Sequence, residues 1–202
     1  MKKYFTTLLI ASSSIMFAQS FILDDKFDLE FKKVVKNSRL FELHTSQSLV
    51  TASKGFKKIQ IKFKLKSISK EKEDFDPNKF FMITETFKKR VRPADVKYSS
   101  TGGIISFDML VYNELTEDEK NYMYKYDPSV IDTFPDYKKE GYEDLNTSLN
   151  FGTKKKPDNR EIYFGHSNIR SSRIDVYFSV PLELTHGTIY YGSLKLMDFE
   201  VK

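Results

Sequence analysis

Period-two alternation of apolar and polar residues is the feature that most limits what this chain can become. From Ile59 it reads Ile-Gln-Ile-Lys-Phe-Lys-Leu-Lys, so Ile59, Ile61, Phe63 and Leu65 share one face and Gln60, Lys62, Lys64 and Lys66 the other. Successive side chains of a strand point to opposite faces, so this is a half-buried strand with one solvated side. Phe27, Leu29 and Phe31 alternate with Asp28 and Glu30 in the same way. Ile174, Val176, Phe178 and Val180 repeat the pattern up to Pro181, which cannot donate to a ladder. Residues 80–84 are apolar on both faces, as in a central strand. Further strands are expected over 91–98, where Pro93 implies an edge or a bulge, and over 104–112 after the Thr101-Gly102-Gly103 turn. Residues 162–164, 188–196 and 199–201 complete the set. Many short strands with turns between them predict a mainly β fold, a two-sheet antiparallel sandwich.

The chain opens with Met1-Lys2-Lys3, an apolar run over 4–17 and the small-x-small end Ala18-Gln19-Ser20. That is the layout of a secretory signal peptide, too short for a comfortable membrane span. The expected plan is a leader over 1–20 and a single domain over 21–202, exported to the periplasm or secreted, with cleavage near Gln19 or Phe21. Losing Lys2 and Lys3 leaves 31 basic against 28 acidic residues, a net charge of only +3. Such a balance gives no argument for a nucleic-acid partner. There is no cysteine, hence no disulfide and no lipid anchor at a cleavage-site Cys, and no later segment is apolar enough to span a bilayer.

Residues 113–160 interrupt the strand rhythm and read as a long insertion. Thr116 and Glu119 form a capping-box pair, predicting one short helix from Glu117 to Lys125, stopped at Asp127-Pro128. Between Glu114 and Asp144 ten acids face four lysines, the opposite bias to the strand at Ile59. Tyr112, Tyr122, Tyr124, Tyr126, Tyr137 and Tyr142 give the insertion an aromatic character. Their expected role is to pin it onto the sandwich, with Tyr122 and Tyr126 sharing a helix face. Tyrosines also suit sugars and protein interfaces, although the lack of tryptophan weighs against carbohydrate.

Two constellations are candidate sites. Asp74, Asp76 and Asn78, with Glu85 eleven residues after Asp74, reproduce the start and distal acid of a calcium loop. Lys79 stands where that loop needs Gly, and the plain alternative is an acidic turn entering a strand. Lys58, Lys62, Lys64 and Lys66 form a basic run that Arg90 and Arg92 on a neighbouring strand can extend into one anion-binding face. The alternative is a lysine face that keeps a sheet dissolved and its edges unpaired. His44, His166 and His186 show no metal-ligand spacing, and no nucleophile elbow, phosphate loop or dinucleotide motif occurs.

Val176-Tyr177-Phe178-Ser179-Val180-Pro181, followed by Gly187-Thr188-Ile189-Tyr190-Tyr191, resembles the closing strands of small exported bacterial immunoglobulin-like domains of unknown function. The strand from Ile59 to Ser67 and Phe80-Phe81-Met82-Ile83 are similar to their central strands, while 113–160 departs from the pattern. The resemblance implies an extracytoplasmic sandwich used for binding or assembly, with no catalytic residue carried over. The expected function is therefore a non-enzymatic exported domain contacting an envelope or extracellular protein, or an anionic glycan. The alternative is an exported hydrolase assembled from Asp74, Asp76, Glu85 and a histidine.

Overall fold

The computed structural model describes residues 19–36, 48–49, 55–120, 124–153 and 155–200, and among them the chain is mainly β. The alternating segment at Ile59 becomes β4 (Phe56–Ser67), near the centre of a six-stranded antiparallel sheet. Its order is β1 (Ser20–Leu23), β2 (Phe27–Lys36), β4, β16 (Ser171–Pro181), β8 (Asp95–Ser100) and β9 (Gly103–Ser106). Ile61 lies opposite Val176 and Phe63 opposite Ile174, all fully buried. The alternation of β2 fails at Phe31-Lys32-Lys33-Val34, and a bulge there restores Val34 to the position opposite Ile61.

Two five-stranded sheets pack against the same core, so the chain has three larger sheets where two were expected. One runs β12 (Glu143–Leu145), β7 (Lys89–Val91), β6 (Phe80–Thr84), β17 (His186–Tyr191) and β18 (Leu194–Glu200). The other runs β11 (Tyr124–Lys125), β10 (Met109–Val111), β14 (Asn159–Phe164), β13 (Ser148–Asn150) and β3 (Ser48–Leu49). A ribbon of β5 (Glu73–Phe75) and β15 (Ser167–Ile169) completes the set. One apolar cluster joins all three larger sheets, and Phe63 stacks on Phe80 across it at 5.6 Å between centroids. No helix among the described residues is long and apolar enough to cross a membrane.

Five expectations change. The strands expected over 188–196 and 199–201 are instead β17 and β18, an antiparallel pair that turns at the left-handed Gly192. The strand expected over 91–98 breaks at Pro93, which has no N–H to continue a ladder. Its neighbours then bond to different sheets: Arg92 N–H to the Leu145 carbonyl (3.1 Å) and Ala94 N–H to the Tyr177 carbonyl (2.7 Å). The strand expected over 104–112 divides likewise at Phe107-Asp108, with β9 in the six-stranded sheet and β10 in another. The helix expected from Glu117 to Lys125 is a single 3-10 turn, Glu117–Glu119. The capping contact forms, Thr116 N–H donating to Glu119 Oε2 at 2.9 Å, but Arg160 also holds Glu119 at 2.6 Å. Lys120 is already extended, and Tyr124–Lys125 pairs in parallel with β10. Tyr122, half of the expected tyrosine pair, lies outside the described residues.

Finally, 113–160 is not a separate excursion, because β11, β12 and β13 are woven into the sheets. A buried clamp fastens it. Arg90, fully buried, makes a bidentate pair with Asp144 (2.6 and 2.8 Å) and donates to the Phe134 carbonyl at 2.9 Å. Arg92 pairs with Asp132 through both terminal nitrogens (3.1 and 2.6 Å). Both guanidinium carbons lie over the Phe134 ring, 3.9 and 4.2 Å from its centroid. Phe134 then packs with Phe81 and Ile83, joined by Tyr137, Tyr142 and Tyr190, on the face of β6 turned away from the main core. This explains why β6 is apolar on both sides, and Tyr137 and Tyr142 take the pinning role expected of them.

Asp132→Ala strands a buried guanidinium, a change that costs about 3–5 kcal/mol. Glu143→Ala, which removes an exposed partner of Lys89, is expected to leave the unfolding midpoint near the parent's. Urea denaturation of both variants checks the ranking.

Candidate functional site

At one end of the molecule three segments meet on Asp76. The aspartate caps the 3-10 turn Pro77–Lys79: its Oδ1 accepts from Asn78 N–H (2.9 Å) and Asn78 Nδ2 (3.0 Å). Asn78, almost wholly buried, grips the end of β14, donating to the Phe164 carbonyl and accepting from Phe164 N–H, both at 2.7 Å. That fixes the chain at Gly165 and presents His166, the residue before β15. Because β15 pairs with β5, placing Ser167 opposite Phe75, the imidazole falls beside Asp74 and Asp76, which share one side of the strand.

His166 lies between the two carboxylates, with Nδ1 3.0 Å from Asp74 Oδ2 and Nε2 3.3 Å from Asp76 Oδ1. Thr133, from the region fastened by the clamp, donates to Asp76 Oδ2 at 2.6 Å. The hydrogen bond to Asp76 is the main cause that raises the imidazole to a pKa of about 9, against a smaller opposing effect of burial. Burial pushes Asp76 upward, but the bonds from His166 and Thr133 outweigh it and hold the carboxyl below its ordinary value. The raised value favours the imidazolium, in which both nitrogens donate to the flanking carboxylates. The Thr133 hydroxyl is directed at Asp76 rather than at His166. The arrangement is a charge-assisted tie between segments.

The calcium set is brought together only in part. Asp74, Asp76 and Asn78 converge, but residues 80–84 run on as β6 and carry Glu85 beyond its far end, roughly 16 Å of strand away. There Glu85 meets Lys88 (2.9 Å) and the Tyr142 hydroxyl. Among the described residues no group of three or more histidine or acidic side chains is placed to hold a metal ion.

The basic set is divided too. The outward face of β4 carries Lys62, Lys64 and Lys66, but acids from remote parts of the chain stand opposite them: Asp28 faces Lys66, Glu30 faces Lys64, and Asp175 faces Lys62. Lys58, further along the same strand, is partly buried opposite Ser179. Arg90 and Arg92 belong to a different sheet and are consumed by the clamp, so they do not extend this face. Of the other histidines, His186 is exposed beside Thr185 (2.9 Å) and His44 lies outside the described residues.

Asp74, Asp76 and His166 are therefore the residues of the hydrolase alternative that do meet. Sequence reasoning missed Thr133 and the pairing with His166. The available signal was Asp74-Phe75-Asp76, two acids on one side of a short strand that need a cation. No family model, no curated protein and no solved structure matches the chain.

The tie has a pH signature. Raised from 6.5 to about 9, His166 stabilises the fold fully below its ordinary pKa, and that contribution disappears as pH climbs through 9. Asp76, depressed below 3.8, stabilises above that value and ceases to do so as pH falls through its lowered pKa. Unfolding midpoints measured across this range should decline on the alkaline side, and His166→Gln should flatten that decline.

Proposed function

We propose that the chain is an exported immunoglobulin-like β-sandwich domain that binds a partner rather than transforming one. The observation that carries this reading is the seating of His166 between Asp74 and Asp76, 3.0 and 3.3 Å from its two ring nitrogens. Catalytic bases work best with a pKa near the operating pH, whereas the flanking carboxylates raise this imidazole to about 9. An envelope or extracellular protein is the favoured partner, contacted through the end where the β5–β6, β14–β15 and 113–160 segments converge. An anionic glycan is second, because the lysines of β4 alternate with Asp28, Glu30 and Asp175.

The sheet also bears on processing. The Gln19 carbonyl accepts from Phe31 N–H at 2.9 Å, and Ser20 begins the β1–β2 ladder. A cut after Ala18 keeps this ladder whole, whereas a cut after Ser20 removes its first rung. Intact-mass analysis of the exported protein is therefore expected to find Gln19 at the amino terminus.

The hydrolase reading keeps one observation in its favour, the meeting of Asp74 and Asp76 with His166. Chromogenic ester, phosphate and glycoside substrates separate the two. Turnover that His166→Gln abolishes would replace the binding reading with the catalytic one. In a melting assay calcium and a chelator should give the same midpoint, and acidic polysaccharide should act only at low salt.

A further inference from the structure

A cavity of about 250 Å³ lies beside the histidine tie, between the turn at 23–26 and the turn at 191–194. Ile22, Asp24, Tyr137, Tyr191, Ser193 and Leu194 line it. We propose that this cavity binds the ring of a neutral sugar, with Tyr137 as its stacking face and Asp24 as its hydroxyl acceptor.

The walls are fixed from behind. Tyr191 packs edge-on to Phe80 (5.0 Å) and stacked on Phe75 (5.8 Å), so its ring belongs to the core while its hydroxyl reaches Asp24 Oδ2 at 3.4 Å. Lys79 donates to the same oxygen at 2.8 Å. Both bonds fall on Oδ2, so Oδ1 keeps its lone pairs for an incoming donor. Gly192 N–H donates to the Lys79 carbonyl at 2.8 Å and ties the second turn to the 3-10 turn of the site. Gly192 is left-handed (φ 58°), and a Cβ there would stand 3.2 Å from the Tyr137 ring, so glycine is what lets the aromatic wall close in.

Asp24 and Asp25 (φ 49° and 55°) are the two central residues of the β1–β2 hairpin turn, closed by Lys26 N–H donating to the Leu23 carbonyl at 2.9 Å. Such a turn needs left-handed backbone at both positions, which Asp tolerates, and it sets the Asp24 side chain at the rim of the cavity.

Ligand chemistry follows from charge and shape. Lys79 balances the Asp24 carboxylate, so the site offers no net charge to an ion but keeps a strong acceptor oxygen. Ser193 adds a hydroxyl that donates or accepts. Ile22 and Leu194, 53 % and 39 % exposed, flank the mouth with aliphatic surface. The lining is more polar than apolar and half open to solvent, which suits a hydroxyl-rich pyranose lying with one C–H face on Tyr137 and its hydroxyls toward Asp24 and Ser193. The volume is below the roughly 300–1,000 Å³ of drug-sized sites, so one ring enters and any further residues stay outside. Tyr137 supplies the flat surface in a chain that has no tryptophan. The inference goes beyond the partner-binding reading, since a protein partner does not require this cavity.

Saturation-transfer NMR on the full chain tests it, with methyl glucoside, methyl galactoside and N-acetylglucosamine as probes at millimolar concentration. Glucuronate and adenosine serve as charged and flat aromatic competitors. Transfer to ring protons of at least one neutral sugar is expected. Affinity should weaken tenfold or more in Tyr137→Leu, which keeps apolar contact with Gly192, and in Asp24→Asn, which keeps a residue tolerant of left-handed backbone. Ser193→Trp, on the exposed turn, should block the mouth without touching the core, so a misfolding variant does not decide the outcome. No transfer from any neutral sugar, or transfer that survives Ser193→Trp, overturns the proposal. A preference for glucuronate lost on Lys64→Glu also overturns it, while leaving the partner-binding reading in place.

Discussion

The structure depends on two buried guanidinium groups and the phenyl ring they both cover. Arginine is rarely buried without a partner, because desolvating its charge costs several kcal/mol unless hydrogen bonds replace water. Here Arg90 and Arg92 each donate to both oxygens of a carboxylate, Asp144 and Asp132, and both lie over the Phe134 ring, although Arg92 Nε is left without a hydrogen bond. Bidentate geometry is what makes such burial tolerable, and a lysine at either position supplies no planar fork. The parallel pairing of Glu143–Leu145 with Lys89–Val91 places Asp144 opposite Arg90, so backbone register and side-chain clamp enforce one another.

From this clamp the rest of the site follows. Phe134 covers Phe81 and Ile83, allowing a five-stranded sheet to be apolar on both sides. Thr133, adjacent in the chain, is thereby delivered to Asp76, and Tyr137 a few residues later to Gly192. The histidine tie and the cavity are thus built on the same anchored segment, which gives one end of the molecule a fixed shape.

The sequence made strands legible wherever one side met water, since alternation registers that contrast directly: Phe27–Phe31, Ile59–Leu65 and Ile174–Val180 are all found as read. It was silent wherever the deciding partner was remote. The lysines of β4 read as a basic face because no acid lies among them in sequence, yet Asp28, Glu30 and Asp175 arrive from strands on either side. Arg90 and Arg92 announced positive charge but not that Asp132 and Asp144, some forty to fifty residues on, would absorb it. At Thr116 the capping pair was real and local, but a cap can start a helix without sustaining one. Arg160 and the pairing of Tyr124–Lys125 with β10 provided the competing bonds. Asp76 behaved as the turn-forming residue that its neighbours Pro77 and Asn78 suggested, whereas Glu85 was separated from it by the stiffness of an extended strand.

The absence of cysteine gives these polar ties a particular meaning. A disulfide stabilises largely by restricting the unfolded chain, whatever the native surroundings. The clamp and the histidine tie act only in the folded state, and only while every partner is in place, so their contributions are coupled rather than additive. Not all buried charge here is so well served. Asp175 is almost fully buried with neither oxygen hydrogen-bonded, its charge met by Arg173 Nε at 3.2 Å, and burial raises the pKa of nearby Asp95. Arg92 Nε in the clamp and Asn146 Oδ1 are likewise buried without a hydrogen-bond partner, so incomplete pairing occurs beside the clamp as well as in the six-stranded sheet.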